Sequence, residues 1–253
     1  MDADKPEILI GRKPVIDALE SHKPLTSIWI DRSLRGPEEI KIRQLAREQA
    51  IPLKRIGREI LNKKTKSNHQ GVIAYTSPIR FVDVEAVLNW AYEKGETPLL
   101  LYLDRIQDVG NLGSIIRTAE VMGVHAIVVP AQKMAPINDQ VVKISTGAVH
   151  KISICRINNV LEYLKLIQQY GIKILASSLS ATQSIDQLDL TVPLCLIVGS
   201  EDTGISTEIE ERSDELFIIP QLGETESLNA SVATGIMLYE VQRQRGCRQS
   251  SIF

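Results

Sequence analysis

Three polar clusters in the second half of the chain carry the residues best suited to chemistry. One contains Asn111 and Arg117, the second contains Glu201, and the third contains Ser227 and Asn229. Each cluster follows a short apolar run that is typical of a buried strand. Because ligands of open parallel sheets bind outside the carboxyl ends of the strands, we expect the three clusters to gather around one binding site.

Arg117 is the most informative of these residues. Its neighbours Ile115, Ile116 and Ala119 are apolar, and a guanidinium among apolar side chains needs a partner or a ligand. An ion pair with Glu120, or with an acid elsewhere in the chain, is the competing interpretation.

The other cluster residues have plain structural alternatives. Asn is a good helix N-cap, so Asn111 could simply cap a helix. Ser227 could cap the last helix, which would place Asn229 inside the first turn, where Asn is a mediocre helix former. Gly199 would let the backbone approach a ligand closely, whereas Glu201 could be an exposed acid on a strand-to-helix turn.

The sequence lacks the common signatures of nucleotide and metal sites. No two glycines have the G-x-G spacing of a dinucleotide fingerprint, and the segment GSEDTGIS has Ile205 where a phosphate loop needs lysine. Neither HExxH nor G-x-S-x-G occurs. The three cysteines are far apart without a CxxC, so we predict neither a disulfide framework nor a metal site, and expect a cytoplasmic protein. We also expect no signal peptide and no membrane span, because no apolar run approaches roughly 18 residues.

The clusters need a scaffold, and the periodicity predicts a parallel sheet. The runs LLLYLD, HAIVVP, IKILAS and LCLIVGS are short and apolar, and the helix-length segments NLGSIIRTAEVM, NNVLEYLKLIQQY and STEIEERS separate them. Apolar strands that alternate with helices predict an α/β domain with a sheet covered on both faces. A final helix is predicted from about Leu228 to Arg245.

The first part of the chain predicts a separate small α/β unit with a basic surface. Helical and strand patterns alternate from PVIDALES to GVIAYT, which favours βα layering. Residues 1–80 contain 16 Lys and Arg against 10 Asp and Glu, although the whole chain has a net charge of −2. Clustered cations suit a phosphate backbone, and a solvated helix face is the alternative. The residues predicted to contact nucleic acid are Arg12, Lys54, Arg55, Arg58, Lys63, Lys64 and Lys66.

The three polar clusters resemble the three motifs of the SpoU-type RNA ribose 2′-O-methyltransferases, which belong to the SPOUT superfamily. The first motif is matched by NLGSIIRTAE, the second by GSEDTG and the third by IPQLGETESLNASVATGIMLYE. The segments ILIGRKPVIDAL and HQGVIAY resemble the family's ribosomal-protein-like substrate-binding domain. The full-length layout is most similar to the members that methylate a guanosine ribose in large-subunit ribosomal RNA.

The resemblance implies a deep trefoil knot in the parallel-sheet domain, a homodimer, and S-adenosylmethionine bound in the knot, with no metal. It implies cofactor contacts at Gly199, Ile219 and Leu228. The family's catalytic or site-forming positions correspond to Arg117, Asn111, Glu201, Ser227 and Asn229.

We therefore expect an RNA substrate-binding domain at residues 1–80, a linker helix at 81–98 and a SPOUT methyltransferase domain at 99–253. The expected reaction is methylation of a ribose 2′-hydroxyl, with large-subunit ribosomal RNA as the substrate. Two alternatives remain open. One is a transfer-RNA ribose methyltransferase with the same core, and the other is a non-catalytic RNA-binding factor of ribosome assembly.

Overall fold

A computed structural model of the chain describes residues 8–223 and 227–246. The chain divides into two compact units, one formed by Met1–Arg80 with Pro136–Gln140 and the other by Phe81–Ala135 with Val141–Phe253. Within the described ranges, no helix is both long enough and apolar enough to cross a membrane.

The first unit contains a mixed four-stranded sheet in the order β1–β4–β2–β3. Its elements are β1 (Ile8–Ile10), α1 (Arg12–Glu20), β2 (Leu25–Asp31), α2 (Pro37–Glu48), β3 (Leu53–Ile56), α3 (Arg58–Lys64) and β4 (Val72–Thr76). Strand β4 runs antiparallel to both of its neighbours, whereas β2 and β3 are parallel. The sheet of the first unit is therefore mixed, whereas simple βα layering would give parallel strands. The sequence did not predict this, because periodicity indicates the type of an element and not the direction of a strand.

The core of the first unit lies between α1, α2 and one face of this sheet. Ile28 and Ile30 of β2 alternate with residues of the other face, as do Val72 and Ala74 of β4, and all four are buried. Helix α2 begins with Pro37, whose missing N–H costs no hydrogen bond at that position.

The second unit is built on a six-stranded sheet in which every pairing is parallel. Its strands are β5 (Leu99–Leu103), β6 (Ala126–Pro130), β7 (Ser153–Ile157), β8 (Lys173–Ser177), β9 (Leu194–Val198) and β10 (Glu215–Phe217). Its helices are α4 (Val84–Glu93), α5 (Val109–Val121), α6 (Asp139–Ile144), which straddles the boundary between the units, α7 (Val160–Gln169), α8 (Thr207–Glu210) and α9 (Ala230–Gln244). The predicted α/β fold with a parallel sheet is confirmed, and the trefoil knot stays a prediction.

The strand order places two loops side by side at the carboxyl edge of the second sheet. The order is β10–β8–β9–β5–β6–β7, so β5 and β9 are neighbours. The chain leaves β5 toward β6 on one side and leaves β9 toward β10 on the other. Such a switch point opens a crevice outside the strand ends, which is where open α/β sheets bind ligands.

Candidate cofactor and active site

Three side chains from distant parts of the second unit meet at this crevice. Glu201 follows β9, Asn111 lies in the first turn of α5, and Asn229 precedes α9. Asn111 Nδ2 donates to Glu201 Oε1 at 2.8 Å, and Asn229 Nδ2 donates to the same oxygen and to Asn111 Oδ1 at 2.9 Å. The Ala230 N–H also donates to Glu201 Oε1 at 3.0 Å, at a helix N-terminus that favours negative charge. These three residues, Asn111, Glu201 and Asn229, are called the Glu201 cluster below.

Helix α5 is capped by Asp108, so the interpretation of Asn111 as its cap is wrong. Asp108 Oδ1 accepts a hydrogen bond from the Asn111 N–H at 2.7 Å. The helix begins at Val109, and an N-cap side chain reaches two or three residues ahead. The Asn111 side chain is thereby left for the Glu201 cluster.

Helix α9 is capped by Asn229, so the interpretation of Ser227 as its cap is also wrong. Asn229 Oδ1 accepts from the N–H groups of Ser231 and Val232 at 3.0 and 3.4 Å and from Ser231 Oγ at 2.6 Å. The helix accordingly begins at Ala230, two residues later than the sequence predicts. Both Ser and Asn are good caps, so their identity alone does not decide between the two positions.

The loop after β9 is a tight turn that fixes the second polar cluster. Ser200 and Gly204 exchange backbone hydrogen bonds of 3.2 and 2.9 Å, and Ser200 Oγ lies 2.8 Å from Thr203 Oγ1. A Cβ on Gly199 would lie 2.2 Å from the Gly204 carbonyl carbon and 2.4 Å from the Ile205 nitrogen. Glycine is therefore required at position 199 because the loop folds back against it.

Asp104 and Arg105 brace the same loop from the end of β5. The buried Asp104 Oδ2 accepts from the Ser206 N–H at 2.9 Å and from Arg105 Nε at 3.1 Å, and Arg105 Nη2 donates to the Gly204 carbonyl at 3.1 Å. Neither Asp104 nor Arg105 is among the residues predicted from the sequence to form the site. The signal for this pair was an acid directly after the apolar run LLLYL, at the strand end where ligands and their supports gather.

A cavity of about 430 Å³ opens beside the loop. The three residues predicted to contact a cofactor, Gly199, Ile219 and Leu228, all line it, and so do Ser227 and Glu201. Pockets for small organic ligands have volumes of roughly 300–1,000 Å³, so this cavity is large enough for such a ligand.

Arg117 lies on the exposed side of α5 and does not join the Glu201 cluster. The flanking Ile115 and Ile116 are buried, whereas Arg117 is exposed. No hydrogen bond or ion pair to its guanidinium comes from a described residue, so the structure does not contain the alternative ion pair with Glu120. Six positions separate Arg117 from Asn111, which is a rise of roughly 9 Å along the helix. The guanidinium is thus available to a ligand or to another chain.

The cations predicted to contact nucleic acid differ in their surroundings. Arg12 pairs with Glu38 at 2.8 Å, and Arg55 pairs with the buried Glu39. These two are therefore partly committed to structure. The remaining cations are exposed and comprise Lys54, Arg58, Lys63, Lys64 and Lys66.

The buried thiols of the second unit are structural. Cys155 and Cys195 are buried, and burial raises the pKa of each to about 12. Nowhere in 8–223 or 227–246 do three or more His, Cys, Asp or Glu side chains gather into a group that could hold a metal ion.

Comparison with known proteins places this chain in a family. The sequence profile of the SpoU rRNA Methylase family matches residues 98–239, and a profile for RNA 2′-O ribose methyltransferase substrate binding matches residues 8–82. A Blochmanniella floridana protein named 23S rRNA (guanosine-2′-O-)-methyltransferase RlmB is 39% identical over 235 residues, which cover 91% of this chain and 92% of the relative. A Bacillus subtilis protein, YacO, named for the TrmH family of tRNA/rRNA methyltransferases, is 34% identical over 239 residues, with 94% and 96% covered.

A solved structure supports the same relationship. The AdoMet-bound rRNA methyltransferase of Sinorhizobium meliloti is similar with a TM-score of 0.59 and 26% identity, and the match covers 93% of this chain and 86% of that one. The catalytic-domain profile spans more than half of the chain, and both relatives span nearly all of it. The chain therefore belongs to the SpoU rRNA Methylase family, and it is an RNA methyltransferase that uses S-adenosylmethionine.

Proposed function

We propose that the protein methylates a ribose 2′-hydroxyl of RNA and that its target is a guanosine of large-subunit ribosomal RNA. The observation that carries the proposal is the Glu201 cluster. Its carboxylate lines a cavity of suitable size for the methyl donor, and its Asn111 lies on the helix that bears the unpaired Arg117. A donor site, a set of fixed amides and an available guanidinium are the parts that such a transfer requires.

The cavity suits S-adenosylmethionine in size and in the character of its wall. Gly199, Ile219 and Leu228 contribute backbone and aliphatic surface to it, which suits the apolar parts of the cofactor, and Ser227 and Glu201 add polar groups. When bound, the cofactor supplies an electrophilic methyl group on a sulfonium sulfur. We assign Gly199, Ile219 and Leu228 to holding it.

The Glu201 cluster positions the reacting parts. Asn229 uses both amide hydrogens on Glu201 and Asn111 and its carbonyl oxygen on the α9 cap. Because these groups already have partners, the cluster serves to tie the starts of α5 and α9 to the loop after β9. Ser227 lines the cavity beside these residues, and its hydroxyl can orient the reacting ribose of the RNA.

We assign Arg117 to stabilising the negative charge that develops on the ribose oxygen or lies on the adjacent phosphate. A guanidinium stays protonated in proteins, so Arg117 would not accept the proton of the 2′-hydroxyl. It can instead stabilise the developing alkoxide or bind the adjacent phosphate through paired N–H donors.

Substitution of Arg117 tests this role. We expect Arg117→Ala to abolish methylation of ribosomal RNA while the folded state, measured by circular dichroism, and the Kd for S-adenosylmethionine stay nearly unchanged. Arg117→Lys should also fail, because an ammonium does not reproduce the two-pronged guanidinium. Arg212→Ala, at another exposed arginine of the second unit, is the matched control. Wild-type turnover by Arg117→Ala would overturn the assignment.

We further propose a homodimer through the outer face of α5 and α9. These two helices pack together, since Gln242 Nε2 donates to the Met122 carbonyl at 2.6 Å. They expose large apolar side chains that a second copy would cover, and a contiguous apolar patch is typical of an interface. The exposed residues are Val121 at 70%, Val232 at 51%, Ile236 at 39% and Tyr239 at 61%.

The same surface gives the dimer a catalytic consequence. Arg117 lies one turn before Val121 on α5, so a second copy on this face would put the guanidinium at the subunit boundary. We expect Tyr239→Asp to give a monomer in light scattering and to lose activity. Ile40→Asp, at an exposed apolar residue of the first unit, should remain dimeric. An active Tyr239→Asp monomer would exclude a site that needs two copies.

For the substrate, the name of the Blochmanniella relative supports a guanosine of 23S ribosomal RNA. A transfer RNA is the second candidate, because the name of the Bacillus relative covers both kinds of RNA. Mapping 2′-O-methylation in cells that lack the protein decides between them. We expect one guanosine of large-subunit RNA to lose its methyl group, and a loss confined to transfer RNA would contradict that expectation.

The exposed lysines of the first unit are proposed to bind the RNA backbone. Replacing Lys63, Lys64 and Lys66 with glutamine should weaken RNA binding. The slope of log K against log salt is negative, and its magnitude should fall by about 2–3. Lys94→Gln in the second unit is the control. An unchanged salt slope would remove this patch from the RNA interface.

A further inference from the structure

A second set of polar side chains lines the cavity on the side of β8. Ser178 and Ser180 follow β8, and Glu210 ends α8. Ser178 Oγ lies 2.6 Å from Glu210 Oε1, and Ser180 Oγ lies 2.8 Å from the same oxygen. The Ser180 N–H donates to Ser178 Oγ at 3.2 Å, which closes the turn. None of these residues belongs to the three polar clusters of the sequence analysis.

The geometry determines what this set can offer a ligand. Each serine hydroxyl has one hydrogen. Both serine oxygens lie within hydrogen-bond distance of Glu210 Oε1, and they lie 2.8 Å from each other. These hydrogen bonds lower the pKa of Glu210, so the group is a carboxylate at neutral pH. Ser180 Oγ keeps its lone pairs, and no described residue donates to Glu210 Oε2. The set therefore presents two neighbouring acceptors, Ser180 Oγ and Glu210 Oε2.

We propose that Ser180 and Glu210 accept hydrogen bonds from the ribose hydroxyls of S-adenosylmethionine, with Ser178 as a positioning residue. This inference rests on the cofactor assignment given above. Two adjacent acceptors match a vicinal diol, which carries two adjacent donors. A carboxylate beyond the carboxyl end of a strand is also the group that binds the ribose hydroxyl of adenine dinucleotides in other α/β sheets.

The cofactor contains one other strong donor, the ammonium of its amino-acid part. A carboxylate would attract that group as well, so the test must separate the two. We use S-adenosylhomocysteine and its 2′,3′-dideoxy analogue, because both contain the ammonium and only the first contains the diol. Their dissociation constants are measured by calorimetry, which requires no turnover.

The four dissociation constants form a thermodynamic cycle, in which removal of the Glu210 carboxylate is compared with removal of the ligand's diol. We expect the two changes to be strongly coupled. Wild-type protein should bind the dideoxy analogue about tenfold to a hundredfold more weakly, at about tenfold per lost hydrogen bond. Glu210→Ala should bind S-adenosylhomocysteine more weakly and discriminate between the two ligands at least about tenfold less than wild type does. Glu208→Ala, an exposed acid of the same helix, should discriminate as wild type does.

Three results would overturn the inference. Equal binding of both ligands by wild-type protein would show that the diol is not recognised. Equal discrimination by wild type and Glu210→Ala would show that Glu210 acts on the fold or on the ammonium. Should Glu210→Ala bind neither ligand, the milder Ser180→Ala decides, and full discrimination by that variant contradicts the proposal. Failure of wild-type protein to bind S-adenosylhomocysteine would instead reject the cofactor site itself.

Discussion

Removal of the Glu201 carboxylate is the most direct test of the architecture of the site. Glu201 Oε1 is the shared acceptor for Asn111, Asn229 and the Ala230 N–H. Glu201→Ala removes all three hydrogen bonds and leaves the 2.9 Å bond between the two amides. The substitution therefore loosens the connection between the loop after β9 and the two helices without removing either helix cap.

The size of the effect follows from the number of bonds and their exposure. A hydrogen bond to a charged group contributes about 1.5–3 kcal/mol to stability. Glu201 and Asn229 are exposed, so water replaces much of the lost bonding, and about 0.5–1 kcal/mol per bond remains. Three bonds give about 1.5–3 kcal/mol, which is a factor of roughly 10–100 in the population of the ordered loop.

The assay is methyl transfer to RNA, with kcat/KM measured at subsaturating substrate. We expect Glu201→Ala to lower kcat/KM by about 10–100, with Glu201→Gln in between because its amide oxygen still accepts. The same loss of about 1.5–3 kcal/mol should lower the midpoint of thermal unfolding by roughly 3–12 °C, at about 2–4 °C per kcal/mol for a chain of this size. Glu208→Ala is the matched control. Wild-type kcat/KM in Glu201→Ala would refute the view that this cluster orders the site.

Three further outcomes are expected. Gly199→Ala should destabilise the protein by about 1–3 kcal/mol in urea unfolding and weaken S-adenosylmethionine binding, because its Cβ would meet backbone that has no room to yield; unchanged binding would contradict the packing argument. Cys155 and Cys195, whose thiols have pKa values raised to about 12 by burial, should resist alkylation in native protein at pH 8 and react in denaturant, as read by peptide mass spectrometry. Asn229→Ala should be about 1 kcal/mol less stable than Asn229→Ser, because both variants lose the Nδ2 hydrogen bonds to Glu201 and Asn111 and only serine keeps the α9 cap; equal stability of the two variants would argue against the cap.

Periodicity predicted the strands in which every residue is buried. The runs LLLYLD and LCLIVGS become β5 and β9, in which every residue is buried, so an unbroken apolar pattern contained the whole signal. Strand β7 was missed because it lies at the end of the sheet and includes Ser153 and Arg156. Helix α3 was foreseen only in the alternative interpretation of the basic stretch as a solvated helix face, because Leu61 is its single buried residue and gives no apolar period.

The site was predictable to the level of its loops and not to that of its hydrogen bonds. The motifs identified Asn111, Glu201 and Asn229 as members of one site, and the strand order explains why their loops are neighbours. Which amide meets which oxygen depends on the starts of α5 and α9, and each start lies two residues from the predicted position. Asp104 and Arg105 escaped notice because an acid and a base after a strand are common, and their use as a brace depends on a loop about 100 positions away.

The separations along the chain within the Glu201 cluster have a consequence for synthesis. Asn111 and Asn229 are 118 positions apart, and both meet a carboxylate that lies between them in sequence. Contacts of such long range form late, because the entropy of closing the intervening chain opposes them until most of the fold exists. Residues up to Asn229 must therefore emerge from the ribosome before the loops of the Glu201 cluster can be fixed, and a nascent chain that ends before Asn229 lacks this cluster even where its strands have folded.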